Sequence, residues 1–297
     1  MRKRFVTILV AALVVASGFG VSPASAQSAN GESITLSPTS TKTTADAGKT
    51  IEGKVTIVND GTQTYEFLLY ARPYSIINND YTNPNFTNVT ARTDVYKWIS
   101  FPQTRYRIEA GATVTANYTM RVPKDAAPGG HYGVIFAETQ PDESKASGNM
   151  ILRKKRVGSI LYVTVNGEYK LSGKDAGASI SPWQPTPPLR ATISATNDGN
   201  TDFTTATRLV VKDIFGTTKY DVKKDYQVLP DTTRTMTLEW QKASWFGFYK
   251  VEAYQSFLKE TVKHEGYVLI VPRFIPLLLV IMLLTGGLYA LLRRRKK

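Results

Sequence analysis

Apolar and polar residues alternate at a period of two along most of the chain, and the pattern is strongest near the middle. Pro128 to Glu138 puts Tyr132, Val134 and Phe136 on one face and Ile135 and Ala137 on the other. Val157 to Val165 sets Ile160 and Tyr162 against Leu161, Val163 and Val165. Both runs are rich in β-branched and aromatic residues and carry glycine at their start. A strand that is apolar on both faces belongs inside a sheet. The two runs therefore predict a central hairpin, with the polar segment 140–155 as its exposed connection.

The remaining elements follow by the same reading. Ile34-Thr-Leu-Ser-Pro38 predicts an edge strand, and Ala47 to Val58 a half-buried one. Asn59-Asp-Gly61 is a turn signal, after which Tyr65 to Tyr74 returns. Residues 76–94 are rich in Asn, Thr and Asp and predict a long exposed excursion. Val95 to Phe101, Tyr106 to Glu109 and Thr113 to Val122 resume the alternation and complete a first domain, 27–170. Pro182, Pro185, Pro187 and Pro188 predict a stiff linker over 171–188, because proline blocks sheet pairing. A second domain, 189–270, carries strands over Leu189 to Thr196, Thr207 to Ile214, Tyr220 to Leu229, Thr232 to Trp240 and Gly247 to Phe257.

Two landmarks recur in the same order. Val58-Asn-Asp-Gly is echoed by Thr196-Asn-Asp-Gly, and Gly130-His-Tyr-Gly-Val134 by Gly247-Phe-Tyr-Lys-Val251. The expected fold class is all-β: two tandem immunoglobulin-like β-sandwiches plus one C-terminal transmembrane helix. The helix reading comes from Phe274 to Leu292, nineteen positions without a charge, close to the ~20 residues that span a bilayer. Arg293, Arg294, Arg295, Lys296 and Lys297 follow it and hold that end in the cytoplasm. At the other end, 1–26 reads as a signal peptide cleaved between Ala26 and Gln27, after Ala24-Ser-Ala. The expected topology is a single-pass membrane protein, with its N-terminus and bulk outside the cell. No Leu-Pro-x-Thr-Gly sorting signal precedes the helix.

The formal charge of +13 suggests nucleic acid until it is located. Arg2, Lys3, Arg4 and the five terminal basic residues hold most of it, leaving 29 basic residues against 24 acidic ones. The excess is mainly a targeting signal, and no nucleic-acid partner is expected. Cysteine is absent, which removes disulfides, thiolate metal sites and a cysteine nucleophile. The two histidines, His131 and His264, lie in different predicted domains. No nucleophile elbow, phosphate loop or dinucleotide motif occurs. No catalytic residue, metal ligand or cofactor is therefore expected, and the chain reads as a non-enzymatic binding protein.

Two features are candidates for polymer binding. Arg153, Lys154, Lys155 and Arg156 could meet an anionic wall polymer, or could simply be a solvated strand start that discourages aggregation. Tyr81, Tyr96 and Trp98, with Tyr70 and Tyr74, could stack on sugar rings, or could pack inside the sandwich.

Several of these stretches together carry a resemblance. They are the strand ending in Asn59-Asp-Gly, Trp98-Ile-Ser-Phe101, Val122-Pro-Lys-Asp-Ala-Ala-Pro-Gly-Gly-His-Tyr132-Gly, Arg156-Val-Gly-Ser-Ile-Leu161, and the last helix with its basic tail. The chain resembles the WxL-interacting protein family of bacterial surfaces over most of domain one and in overall plan. The resemblance implies a first domain associated with peptidoglycan and a second that engages a surface protein. Two other readings stand beside it: an assembly factor like the pilus chaperones, pairing a sheet edge with client strands, and a wall-modifying hydrolase.

Overall fold

The computed structural model describes residues 33–140 and 154–294. Residues 1–26, expected to be a signal peptide, with the expected cleavage at Ala26 and Gln27, lie outside them, as do Arg153 and the tail residues Arg295, Lys296 and Lys297.

Domain one contains β1 (Thr35–Ser37), β2 (Ser40–Ala45), β3 (Thr50–Val58), β4 (Tyr65–Pro73), the one-turn helix α1 (Val95–Trp98), β5 (Ile99–Ser100), β6 (Arg105–Ile108), β7 (Thr113–Arg121), β8 (Gly129–Gln140) and β9 (Arg156–Val165). They form two sheets, ordered β1-β3-β7-β5 and β2-β9-β8-β4-β6. The central hairpin is β8 and β9, paired antiparallel from Gly129↔Val165 to Glu138↔Arg156. Its two faces separate as the alternation requires. Ile135, Ala137, Leu161, Val163 and Val165 join the core between the sheets with Ile57, Phe67 and Ile108. Tyr132, Val134, Phe136 and Tyr162 point the other way, into a separate cluster.

Three local expectations are corrected. The Asn59 turn does not close a hairpin: β3 and β4 belong to opposite sheets. Asn59 is fully buried at this crossover. Its Nδ2 donates to the carbonyls of Gln63 (2.8 Å) and Glu109 (3.0 Å), and its Oδ1 accepts from the Gly61 amide (3.0 Å). Nor is Val95 to Trp98 a strand. Val95 and Trp98 are both buried three positions apart, which is helical spacing, and extension resumes only at Ile99. Finally, the excursion 76–94 is not wholly exposed. Its Ile76, Tyr81 and Phe86 pack onto the outer cluster, which is why β8 is buried on both faces.

Domain two contains β10 (Gly173–Ser179), β11 (Trp183–Gln184), β12 (Leu189–Asn197), β13 (Phe203–Lys212), β14 (Thr218–Val228), β15 (Thr232–Trp240), β16 (Gly247–Phe257) and β17 (Glu260–Ile270). Its sheets run β10-β12-β15 and β11-β17-β16-β13-β14, the order of domain one without a counterpart for β5. The echoed landmarks are equivalent in space. Asn197 repeats the crossover of Asn59, donating to the carbonyls of Thr201 (2.9 Å) and Val228 (2.8 Å) and accepting from the Gly199 amide (2.8 Å). Tyr132 and Tyr249 each fold back over the glycine two residues earlier, at the place a Cβ on Gly130 or Gly247 would occupy.

The stretch expected to be a linker is part of this domain. β10 pairs with β12 and β11 runs parallel to β17. The prolines fall between and after these short strands, where no ladder amide is required. Gly177, at φ 92°, lies within the register shift between Asp175 and Ala178. β17 is absent from the sequence reading because its inward positions include His264 and Gly266, which dilute the alternation.

The domains meet on the outer cluster of domain one. Leu229 packs there with Tyr74, Tyr132 and Phe136. The Tyr81 hydroxyl accepts from the Leu229 amide (2.8 Å), and Asn79 Oδ1 accepts from the Thr233 amide (2.8 Å). The Gly130 amide donates to the Asn200 carbonyl (2.9 Å) and the Tyr132 hydroxyl to Asp202 (3.1 Å).

The apolar run near the C-terminus forms α2 (Phe274–Arg294), a helix of 21 residues. Its side chains at 276, 277, 279 and 288–294 lie outside the described set, including those of Arg293 and Arg294. Among the described residues no helix is long and apolar enough to cross a membrane.

Candidate functional site

The aromatic candidates do not form an exposed platform. Trp98 is 6% exposed, with its ring centroid 4.9 Å from that of His131. His131 is itself fixed, with Nε2 2.7 Å from the Ala127 carbonyl and Nδ1 3.1 Å from Asp94 Oδ1. Tyr81 lies in the domain junction beneath the Arg234 guanidinium, 4.4 Å from its ring centroid. Burial pushes its hydroxyl pKa up, against the opposing bonds from Thr232 and Leu229. Tyr74 is buried. Tyr70 donates to Glu138 (2.6 Å), and burial first, then that carboxylate, raises its pKa. Tyr96 is half-buried, with the Lys97 ammonium 5.7 Å from its ring.

The basic candidates are likewise engaged by the protein itself. Lys154 pairs with Glu138 at 3.8 Å. The Lys155 amide donates to Thr139 Oγ1 (3.0 Å). The Arg156 guanidinium covers the Phe136 ring at 4.4 Å and Phe86 at 5.7 Å. Arg156 is nevertheless exposed, so the ring contact orients its guanidinium without removing it from the surface. Sequence reasoning missed this because it cannot tell which face of the strand start each cation covers.

What the fold leaves open is main chain. β14 is the edge of the five-stranded sheet in domain two and pairs with β13 on one side only. It has 11 residues, more than any other edge strand described, with one register shift against β13 between Thr218 and Tyr220. Tyr220, Val222 and Tyr226 pack inward against the core, so Lys219, Asp221, Lys223 and Asp225 line the outer face by alternation. Lys223, Lys224 and Asp225 are exposed, a pattern that deters indiscriminate edge pairing.

The outer face beside this edge carries an ionic network. Glu252, 4% exposed, meets Lys212 (2.9 Å), Lys263 (3.3 Å) and Lys250 (3.6 Å). Glu265 bridges Lys263 (2.7 Å) and Lys250 (3.2 Å). The Lys212 hydrogen bond, opposed by burial and joined by Lys263, holds Glu252 down at about 2, against an ordinary 4.5. A depressed carboxylate stabilises the fold above its unfolded pKa, and that contribution is lost as pH falls through the folded value. Domain two is therefore expected to lose stability between about pH 5 and pH 2. Glu252→Gln should flatten this acid limb, read as the urea midpoint at pH 7 against pH 3. An unchanged pH slope would show that the network does not couple to folding.

Among the described residues no group of three or more His, Asp or Glu side chains could hold a metal ion. His131 and His264 lie in different domains, the second with Nε2 3.0 Å from Asp175.

No family model and no curated protein matches the chain. Solved structures do. One is the class 5 fimbriae chaperone CfaA, with 13% identity, 81% of this chain and 100% of that chain covered, and a TM-score of 0.39. Another is the E. coli chaperone DraB, with 12% identity, 79% and 98% covered, and a TM-score of 0.38. A third is the CsuC-CsuE chaperone-tip adhesion subunit pre-assembly complex from the Csu pili of Acinetobacter baumannii, with 14% identity, 80% and 98% covered, and a TM-score of 0.37. All three TM-scores lie below 0.5.

Proposed function

We propose that this chain is a non-enzymatic, membrane-anchored surface protein whose second domain captures an extended segment of another surface protein along the β14 edge. The uncovered rim of β14 carries the reading. Its main chain offers a row of amides and carbonyls to an added strand, and alternate side chains set specificity. This is the sheet-edge mechanism of an assembly factor. It is favoured over wall-polymer binding because the candidate aromatics Tyr74, Tyr81 and Trp98 are packed within the protein. Anchoring is carried over from the sequence, from the nineteen uncharged positions Phe274 to Leu292 and the basic residues after them, part of which lie outside the described side chains. Nineteen helical residues would reach about 28 Å at 1.5 Å each, close to the ~30 Å of a hydrocarbon core.

Proline scanning of the edge tests the capture. Amides of successive strand residues point to opposite sides, so of Lys223 and Lys224 one donates to β13 and the other to the open rim. Full-length protein is recovered from its native membrane after cross-linking. Proline at the rim-facing position is expected to reduce partner recovery about tenfold, the equivalent of one or two main-chain hydrogen bonds at about 1 kcal/mol each. Domain two should remain folded. Proline at the neighbouring position should instead destabilise the domain. Undiminished recovery from both variants would remove β14 from the function.

A further inference from the structure

One end of domain two is rich in exposed aromatic side chains, and it is the end from which the chain passes into α2. Trp183 lies on β11, Phe215 in the β13–β14 turn, Trp245 and Phe246 in the β15–β16 loop, Phe248 at the start of β16 and Tyr267 near the end of β17. Strand register brings them together: Leu269 opposes both Trp183 and Phe248, Tyr267 opposes Lys250, and Lys250 opposes Lys212 at the close of β13. Phe215 is 85% exposed and Trp245 58%. A soluble surface has no reason to collect such groups at one pole.

The outer face of the five-stranded sheet changes character sharply along the strands. At the pole, the Phe248 and Tyr267 rings stack in parallel, 5.5 Å apart. Two positions further along each strand lie Lys250, with Lys212 opposite it, and Glu265, and beyond them lie Glu252 and Lys263 of the same ionic network. Two strand positions are about 7 Å, so the surface passes from aromatic to ionic over roughly the depth of a headgroup layer.

We propose that this pole docks on the outer surface of the bilayer, with Trp183, Phe215, Trp245, Phe246, Phe248 and Tyr267 seated among the lipid headgroups. The inference rests on α2 crossing the membrane. Only Val271, Pro272 and Arg273 separate β17 from α2, and four Cα steps span at most about 14 Å. The headgroup layer on each side is about 5–7 Å thick, so even a fully extended connection leaves at most about 7–9 Å between the pole and that layer. The connection is also held: Trp183 Nε1 donates to the Val271 carbonyl (2.9 Å). Trp245 lines an open groove with Pro185, Thr186 and the residues leading into α2. Tryptophan and tyrosine favour this interface, with apolar rings and polar edges. Lys242 and Arg273, both exposed, are placed to meet lipid phosphates.

The test uses full-length protein reconstituted in phospholipid vesicles with brominated acyl chains, which quench tryptophan fluorescence on contact. Two of the four tryptophans, Trp183 and Trp245, belong to the pole. The native protein should be quenched, and W183F/W245F should lose most of that quenching while remaining membrane-embedded after carbonate washing. F215D/F246D provides a second reading without altering any tryptophan: the native indoles should become more accessible to aqueous acrylamide. Embedded protein with no lipid quenching overturns the docking and leaves the anchor standing. Trp245 shielded from acrylamide without lipid quenching overturns it in favour of a protein occupant, such as a second copy. Release by carbonate removes the anchor, and the docking with it.

Discussion

Replacing Tyr132 with alanine should cost about 3–5 kcal/mol, the range for emptying a large aromatic site, and should split urea unfolding into two transitions. The ring is 2% exposed and stands edge-on to Tyr162, with centroids 6.0 Å apart. It lies over Gly130, where any side chain would collide with it. Its hydroxyl donates across the domain boundary to Asp202 (3.1 Å), and burial, then the Asp202 charge, pushes its pKa far up. Tyr132 thus belongs to the sheet of domain one and also to the contact with domain two. Tyr132→Phe keeps the ring and removes one hydrogen bond, an expected loss of about 1 kcal/mol, because Asp202 still accepts from Gln227 (2.7 Å). A single unshifted transition for Tyr132→Ala would show that the contact couples nothing.

Asn197→Ala should cost about 3 kcal/mol, and Asn59→Ala a comparable amount in the other domain. Each asparagine is fully buried and binds two carbonyls and one amide that have moved to opposite sides of a crossover. Alanine leaves those groups buried without partners, at about 1–3 kcal/mol for each one that water cannot reach. Aspartate is the informative replacement. It keeps the acceptor for the Gly199 amide but sets a carboxylate oxygen against the carbonyls of Thr201 and Val228. Asn197→Asp should therefore be at least as damaging as Asn197→Ala in chemical denaturation. A tolerated aspartate would mean that the donated bonds are not the essential ones.

The same asparagines show what could be read from the chain. Their repetition signalled two copies of one topology, and β8 and β9 were legible because both faces are apolar. What Asn59 joins was not legible: a turn signal is local, while the choice between a hairpin and a crossover depends on the opposite sheet. The excursion 76–94 is polar in composition, and its three packing residues have no period, so only the finished sheet reveals what they cover. The packing of Tyr81, Trp98 and Arg156 against distant residues was not legible for a related reason. Their chemistry suits a polymer or an interior equally well, and the neighbours that decide, Arg234, His131 and Phe136, are distant in sequence. Proline density at 182–188 predicts a linker, yet these prolines sit where no ladder amide is needed, so the short strands around them still pair.

The paired strands of domain two also define a path for mechanical load. A partner seated on β14 and pulled away from the cell would pass tension through β13 and β16 to β17, whose last residue lies three short of α2. With α2 as the proposed anchor, β17 would run toward the bilayer and that tension would act along the strands. It would shear each ladder as a whole instead of opening it bond by bond. Many rungs would then resist together, and the grip should yield at the partner's own strand before the sandwich tears.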